Sequence, residues 1–226
     1  MKVYYRITSI PSTNPSPIYA DDKAKLNELC LKSFVEAFRE VNPDVTFLCD
    51  FCPQEYKKMI GDIVPFKHET IFTTIGINET CLMQYELAKN QDDDILFQEC
   101  DYIYTPNAGK HLVDGLQELC MVSPYDHFNF YLDHTLHSIH QTIKLVEDYH
   151  WRTTERNTMT FAIKNKVFKK NYDIFKYYGY LDADVWYDML TKGQPLWTPI
   201  PSLATHMAKD WLAPSIQWKD IWETLI

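Results

Sequence analysis

The feature that most constrains the fold is an alternation of short apolar runs with longer amphipathic segments. The short runs predict strands at residues 3–7, 45–49, 70–75, 95–98, 120–123 and 158–163. Apolar residues at three-to-four spacing predict helices at residues 22–40, 79–89, 106–119 and 184–190. Such an alternation is typical of an α/β fold, in which helices flank a mixed, mostly parallel central sheet.

Local signals fix two of the expected helix starts, and the chain shows no internal repeat or linker. Asn78 is expected to cap the helix at 79–89, and Thr105 with Pro106 is expected to start the helix that runs to residue 119. The tail, residues 195–226, is rich in Pro and Trp and has little regular periodicity. We expect a single domain over residues 1–226.

Composition excludes several classes of protein and partner. Of the 226 residues 46% are hydrophobic, which is ordinary for a globular domain and argues against disorder. The 31 acidic residues exceed the 22 basic ones and give a net charge of −9, so nucleic acid is not an expected partner. The amino terminus has no apolar leader, and no run reaches the ~18 apolar residues of a membrane span. Six scattered cysteines favour the reducing cytoplasm.

Two acidic clusters lie on opposite sides of the strand at 95–98. Asp92, Asp93 and Asp94 precede the strand and are interpreted as a solvated turn. Glu99 and Asp101 follow it, at the end of the sheet where ligands of α/β proteins bind. Paired carboxylates there suit Mn²⁺ or Mg²⁺, although an exposed pair of loop acids has the same spacing.

Segments spread along the chain resemble one enzyme family. They are, in chain order, residues 96–102 (LFQECDY), 105–108 (TPNA), 125–127 (YDH), 150–154 (HWRTT), 158–162 (TMTFA), 199–206 (PIPSLATH) and 211–214 (WLAP). Together they resemble metal-dependent GT-A glycosyltransferases, and more narrowly the small glycosyltransferase domain of large algal (chlorella) viruses and some bacteria. The chain departs from that pattern at Cys100, where many relatives have a third acid, at Ser202, where glycine is usual, and at Met207-Ala208, where an acid is common.

The resemblance implies a Rossmann-like GT-A fold and a UDP-sugar donor whose phosphates are bridged by Mn²⁺ or Mg²⁺. Asp101 and His206 would ligate the metal, and Glu99 would reach the ribose or a metal-bound water. The middle side chain, Cys100, would point away from the ligand. The nucleotide-binding half would span about residues 1–105, and the acceptor and catalytic half about residues 106–226. For a viral enzyme the compartment would be the host cytoplasm.

In such a fold, the ends of the first three strands meet the nucleotide. Arg6, the backbone of Ile7 and Thr8 are at the carboxyl end of the first strand, and Asp50 ends the second. Gly76 and Asn78 end the third strand and open a helix, where a close backbone approach to the ligand is possible. Ordinary loop-facing polarity is the alternative interpretation of each of these residues.

The transferred sugar would move to a hydroxyl of a glycan acceptor, and rhamnosyl or glucosyl transfer is plausible by analogy. Asp184 is the first candidate for the acid at the anomeric carbon and Asp182 the second, although either could simply cap a helix. Asp126, at the next strand end, is a rival. No residue pattern indicates an oligomeric state.

Two other functions stay open. A sugar-phosphate nucleotidyltransferase usually has a glycine-rich, basic loop after its first strand, whereas this chain has Ser9-Ile10-Pro11-Ser12. A non-catalytic glycan- or nucleotide-sugar-binding domain would be expected to have lost the acidic triplet or His206, and both are present.

Overall fold

A computed structural model describes residues 1–132 and 141–226 of the protein. In the first half of the chain, four parallel strands form one part of the central sheet. The strands are β1 (Lys2–Thr8), β2 (Asp44–Asp50), β3 (His68–Thr73) and β4 (Ile95–Glu99), in the spatial order β3-β2-β1-β4. β1 runs parallel to β2 and β4, with Thr8 opposite Asp50 and Arg6 opposite Glu99. This register brings four predicted site residues to one edge of the sheet.

The helices that connect these strands cover the faces of the sheet. They are α1 (Lys23–Ala37), α2 (Glu55–Ile63) and α3 (Ile77–Ala88). The Asp22 carboxylate accepts a hydrogen bond from the Lys25 backbone amide at 3.0 Å and so caps α1. Because the apolar residues of α1 recur at helical spacing, Leu26, Cys30 and Phe34 lie together in the core.

The second half extends the sheet with mainly antiparallel strands. They are β6 (Met121–Val122), β7 (Ile143–Val146), β8 (Tyr149–Thr154), β9 (Phe161–Ile163) and β10 (Leu196–Ile200), and they complete the nine-stranded order β3-β2-β1-β4-β9-β6-β10-β8-β7. A separate two-stranded sheet joins β5 (Tyr102–Tyr104) to β11 (Ala204–His206) in antiparallel pairing. The remaining helices are α4 (Ala108–Leu119), α5 (Asn129–Leu132), α6 (Asn165–Lys170), α7 (Tyr172–Tyr178), α8 (Asp182–Thr191) and α9 (Trp218–Glu223).

Aromatic side chains fill the core on both faces of the sheet. Because neighbouring residues of a strand point to opposite faces, Tyr5 packs against Phe34 and Tyr4 packs against Phe97. Burial of such rings is a large favourable term in folding. Close packing also explains one glycine: a Cβ at Gly115 in α4 would lie 2.5 Å from the Trp151 ring.

The predicted α/β fold with a mostly parallel central sheet is confirmed, but several element boundaries differ. α3 begins at Ile77 after Gly76, whose φ of +97° favours glycine, so Asn78 lies inside the helix and does not cap it. α4 begins at Ala108 and not at Pro106, because the preceding residues leave β5 and the Thr105 hydroxyl donates to the Leu203 carbonyl at 3.2 Å. In the supposedly aperiodic tail, β10 and β11 form by pairing with distant strands.

None of the helices formed by the described residues combines the length and apolar character needed to cross a membrane.

Candidate functional site

A cleft of about 530 Å³ lies at the carboxyl ends of β1, β2 and β4. Most of the predicted strand-end residues line it: Arg6, Ile7, Thr8, Asp50, Glu99, Cys100 and Asp101. The loop after β1 and residues distant in sequence complete the wall: Lys23, Ile77, Thr80, Thr158, Met159, Tyr180, Asp182, His206 and Trp211. Clefts of this size at this edge of an α/β sheet are typical ligand sites.

Asp101 and His206 form one of the close acid–base pairs that line the cleft. Antiparallel pairing of β5 with β11 puts His206 opposite Tyr102, so the imidazole Nε2 lies 3.3 Å from Asp101 Oδ2. Burial raises the pKa of the Asp101 carboxyl, but His206 and Lys23 lower it by more, so this pKa lies well below its ordinary range. Burial lowers the pKa of His206, but Asp101 outweighs that effect and raises it above its ordinary value.

This pair is compatible with a divalent cation bound mainly by a substrate. No group of three or more His, Cys, Asp and Glu side chains placed to hold a metal occurs within residues 1–132 and 141–226. Mg²⁺ and similar ions, however, often take only one or two protein ligands and complete their shell with phosphate oxygens and water. The second imidazole nitrogen, His206 Nδ1, is buried without a hydrogen-bond partner among the described residues.

Glu99 is held by Arg6. The Arg6 guanidinium donates to Glu99 Oε1 at 3.0 Å and to the Ile77 carbonyl at 3.2 Å, and the Tyr180 ring centroid lies 5.4 Å from its central carbon. The Glu99 backbone amide donates to the Thr160 hydroxyl at 3.1 Å. Burial raises the pKa of Glu99, although Arg6 opposes that shift. Glu99 therefore anchors an arginine at the wall of the cleft.

Asp50 and the β3–α3 turn are locked together. Asp50 Oδ1 accepts hydrogen bonds from the Thr73 hydroxyl and the Ile75 amide, both at 2.9 Å, and Oδ2 accepts one from the Gly76 amide at 3.1 Å. The carboxylate thus shapes the turn beside the cleft. Gly76 and Asn78 lie outside the cleft lining, which includes Ile77 and Thr80 of the same segment. Asn78 packs against Gly179, since a Cβ on that glycine would meet Asn78 Oδ1 at 2.6 Å.

The two candidate acids of α8 are separated by the structure. Asp182 lines the cleft, and burial raises the pKa of its carboxyl. Asp184, which was the first candidate, is exposed and lies outside the cleft lining. Neither acid provides the expected side-chain cap, because α8 begins after Leu181. The first turn of the helix therefore presents Asp182 to a ligand in preference to Asp184.

Asp126 lies away from the cleft in a buried ion pair. Its Oδ1 accepts hydrogen bonds from Arg152 Nη2 at 2.6 Å and Nε at 3.2 Å, and its Oδ2 accepts one from the Tyr131 hydroxyl at 2.5 Å. The Phe130 ring lies 4.4 Å from the guanidinium carbon. With both oxygens engaged, this carboxylate has the surroundings of a structural residue and not of an acid that meets a substrate.

Several cleft residues were not predicted as site residues from the sequence, and Lys23, Tyr180 and Trp211 are the ones next to charged groups of the cleft. Lys23 Nζ lies 3.9 Å from Asp101 Oδ2, Tyr180 covers Arg6, and Trp211 packs near His206 with ring centroids 6.2 Å apart. The loop before Lys23 ends with a helix cap, which could have marked it as the first residue of a helix opening at the cleft. Nothing in the local sequence marks Tyr180, and Trp211 was noted only as part of the segment 211–214, with no role in the site.

Comparison with solved structures gives likenesses over most of the chain. The inositol-1-phosphate CTP transferase of T. maritima matches with a TM-score of 0.54 and 7% identity over 99% of this chain and 95% of that one. A protein assigned as a nucleotide-diphospho-sugar transferase, from Desulfovibrio desulfuricans G20, matches with a TM-score of 0.50 and 10% identity over 86% and 77%. The 4-diphosphocytidyl-2C-methyl-D-erythritol synthase of Anaerococcus prevotii matches with a TM-score of 0.50 and 11% identity over 86% and 84%.

No protein-family model and no curated protein sequence matches the chain. At these low identities the structural likenesses show the fold alone. That fold is the GT-A-like fold of nucleotide-diphospho-sugar transferases, as the sequence predicted. Since its members include both sugar and nucleotide transferases, the narrower resemblance to an algal-virus domain stays a prediction.

Proposed function

We propose that the protein is a glycosyltransferase that binds a UDP-sugar in the cleft and transfers the sugar to a hydroxyl group of a glycan acceptor. The observation that carries this proposal is the Asp101–His206 pair, 3.3 Å apart, at the carboxyl edge of the parallel strands. Nucleotides bind at this edge in α/β proteins, and a carboxylate beside an imidazole suits a cation that also holds phosphates.

Asp101 and His206 would hold Mn²⁺, or Mg²⁺ in its place. The cation would stabilise, as a Lewis acid, the negative charge that the departing nucleoside diphosphate gains. A histidine that ligates a metal is neutral, so binding would release the proton that the strong Asp101 contact now favours on His206. Glu99 would contribute by keeping Arg6 in place and by accepting a hydrogen bond from the ribose or from water.

The nucleotide would lie along the ends of β1 and β2. Ile7 and Thr8 line this part of the cleft, and Asp50 fixes the turn beside it. Backbone groups at a strand end can read the edge of a uracil ring, and the Tyr180 ring over Arg6 offers an apolar face.

In the transfer step, the bond between the anomeric carbon and the diphosphate oxygen breaks, and the acceptor oxygen bonds to that carbon. The acceptor hydroxyl loses a proton, and Asp182 is our candidate to receive it or to stabilise positive charge at the anomeric carbon. Burial raises the pKa of Asp182, which makes its carboxylate a better base than an exposed one. Rhamnosyl and glucosyl donors are the first to test, because the algal-virus domain resembled by the sequence suggests them.

The proposed compartment is a reducing one such as the cytoplasm. All six cysteines are free, and four of them are buried. Disulfides form readily in secreted proteins, so a chain with this many unpaired thiols fits a reducing environment better.

A second candidate is a nucleotidyltransferase that joins a nucleoside triphosphate to a sugar phosphate and releases pyrophosphate. The favouring observation is Lys23, which supplies inside the cleft the basic group that the loop after β1 lacks. The two cytidine-nucleotide enzymes among the structural likenesses share the fold and are the reason to test CTP first.

One experiment separates these functions. Purified protein with Mn²⁺ is screened by thermal unfolding against UDP, CDP, GDP, UTP and CTP, and a ligand that binds the native state raises the melting temperature. We expect the largest rise with UDP, and release of UDP from a UDP-sugar when glycans are added. Release of pyrophosphate from CTP or UTP with a sugar phosphate would support the second candidate. A rise with GDP but not UDP would overturn the uridine assignment.

A further inference from the structure

Lys23 is buried where an ammonium group needs an anion. It is the first residue of α1, and its side chain is 8% exposed although it lines the cleft. It also borders a small cavity beneath the loop after β1, together with Asp101 and His206. A buried charge is costly unless it is paired and hydrogen-bonded, so the partners of Lys23 decide its role.

The available partners do not saturate this ammonium. Asp101 Oδ2 lies 3.9 Å from Lys23 Nζ, which is beyond hydrogen-bond distance, and the same oxygen lies 3.3 Å from His206. The Cys100 and Cys30 thiols are also neighbours of Lys23, and a thiol is a weak hydrogen-bond partner. The nearest carboxylate is therefore shared, and Lys23 keeps donor capacity for an incoming anion.

Arg6 provides the contrast inside the same cleft. Arg6 and Lys23 are the arginine and the lysine among the described residues that line the cleft. The Arg6 guanidinium is already engaged by Glu99 at 3.0 Å and by the Ile77 carbonyl at 3.2 Å. Arg6 Nε has no partner among the described residues, but Glu99 and Ile77 hold the two ends of that guanidinium, whereas Lys23 Nζ lies 3.9 Å from Asp101. An anion that enters the cleft beside Asp101 therefore has the Lys23 ammonium next to it.

We infer that the Lys23 ammonium donates hydrogen bonds directly to a phosphate of the bound nucleotide. The cleft then recognises the diphosphate through a protein cation as well as through a metal held by Asp101 and His206. This inference rests on the proposed function in taking a nucleoside diphosphate as the occupant and Asp101 and His206 as the metal ligands. A compact ammonium on a flexible stem suits a phosphate as a point charge, whereas a bidentate fork is not required.

A purely structural role is the competing account. If Lys23 only neutralised Asp101, its loss would disturb Asp101 and weaken metal and nucleotide binding together. If it binds phosphate, its loss would weaken phosphate ligands alone. Affinity for Mn²⁺ without nucleotide would stay equal or rise, because a positive charge 3.9 Å from a metal-binding carboxylate would be gone.

The test compares Lys23→Met with Lys25→Met. Lys25 is on the same helical turn, is 63% exposed and pairs only with Asp22 at 3.4 Å among the ion pairs of the described residues, so its loss should change no ligand affinity. Calorimetric titrations measure three probes in full-length protein: Mn²⁺ alone, pyrophosphate with Mn²⁺, and UDP with Mn²⁺. For Lys23→Met we expect pyrophosphate and UDP to bind about 10-fold to 100-fold more weakly, as loss of a charge-assisted hydrogen bond implies.

Several results would overturn the inference. One is UDP and pyrophosphate affinity in Lys23→Met within about twofold of the Lys25→Met control. Another is a parallel loss of Mn²⁺ affinity, which would assign Lys23 a structural role. Pyrophosphate carries no base or sugar, so it separates the two proposals. If pyrophosphate binding depends on Lys23 while UDP-sugars are not used, the inference stands and the glycosyltransferase proposal fails.

Discussion

Two buried arginine–carboxylate pairs, Arg152–Asp126 and Arg6–Glu99, differ in how many of their hydrogen-bonding groups have a partner. Arg152 and Asp126 are 5% and 2% exposed, share two hydrogen bonds and are covered by the rings of Phe130 and Tyr131. Arg6 and Glu99 are 8% and 15% exposed and share one, and Arg6 Nε is buried without a partner among the described residues. The pair with more hydrogen bonds lies outside the cleft lining, and the Arg6–Glu99 pair is part of the cleft wall.

The difference shows that burial by itself does not mark a functional acid. Glu99 is the last residue of β4 and Asp126 comes shortly after β6, and this position at a strand end makes both of them candidates. In the structure, Asp126 accepts three hydrogen bonds of 3.2 Å or less and lies outside the cleft lining. Glu99 accepts one from Arg6 at 3.0 Å and a longer one from the Thr160 hydroxyl at 3.4 Å, and Glu99 and its neighbour Asp101 line the cleft. Buried polar groups with unused capacity are where a ligand gains most from binding.

The largest effect on stability should come from breaking the Arg152–Asp126 pair. Arg152→Met leaves Asp126 charged and buried, which costs about 3–5 kcal/mol. Arg6→Met should cost only about 1–2 kcal/mol, because Glu99 faces the cleft and can be solvated there. Urea unfolding of both variants measures the difference. Equal losses of unfolding free energy, or a larger loss for Arg6→Met, would contradict the proposed difference between the two pairs.

The next largest effect concerns turnover and separates the two acids of α8. Asp182→Asn should lower the rate of sugar transfer about 100-fold or more, because the base or charge stabiliser is lost. Asp184→Asn, two residues away but exposed, should retain the wild-type rate. Steady-state kinetics with a UDP-sugar and Mn²⁺ compares them. If only Asp184→Asn lost turnover, Asp184 would be the better candidate, as the sequence predicted, and the choice of Asp182 from its position in the cleft would be wrong.

The smallest predicted effect concerns the loss of stability in acid and tests His127, which lies near both Arg152 and the cleft residue His206. Burial, with the charges of His206 and Arg152 nearby, lowers the pKa of His127 to about 4. The unfolded chain takes up a proton near its ordinary pKa of ~6.5 and the folded chain does not, so stability present above about pH 6.5 is lost as the pH falls toward 4.

His127→Gln removes this source of acid sensitivity. Its free energy of unfolding should fall about 1–2 kcal/mol less than that of wild type between about pH 7 and pH 5. His150→Gln is the control, because His150 is exposed in β8. Urea unfolding at the two pH values gives the result. The same pH dependence in His127→Gln and wild type would show that His127 is not buried in its neutral form.

The alternation of strands and helices could be predicted from the sequence because it depends on local patterns of apolar residues. Apolar runs such as those of β1 and β4 are buried on both faces, and the amphipathic period of α1 is regular. Parallel strands then bring their carboxyl ends to one edge, which is why Thr8, Asp50, Glu99 and Asp101 could be expected together.

What could not be predicted depends on long-range contacts. The partner of Asp126 is Arg152 on β8, 26 residues later in the chain. No local sequence pattern predicts that pair. The short strands β10 and β11 exist because β6, β8 and β5 are there to pair with them. Lys23 looks like any surface residue of an amphipathic helix until the fold places it beside Asp101. The choice between Asp182 and Asp184 depends on where α8 begins.

The central claim is that a nucleotide and a divalent cation bind together at Asp101 and His206, and titration of UDP into Asp101→Asn tests it most directly. Asp92→Asn is the matched control, because Asp92 is an exposed acid at the amino-terminal side of β4, away from the cleft. Wild type and control should bind UDP more tightly with Mn²⁺ than in chelator. Asp101→Asn should lose that gain, with affinity at least about 10-fold lower, while its thermal unfolding stays close to that of wild type. Undiminished, Mn²⁺-dependent UDP binding by Asp101→Asn would contradict the account.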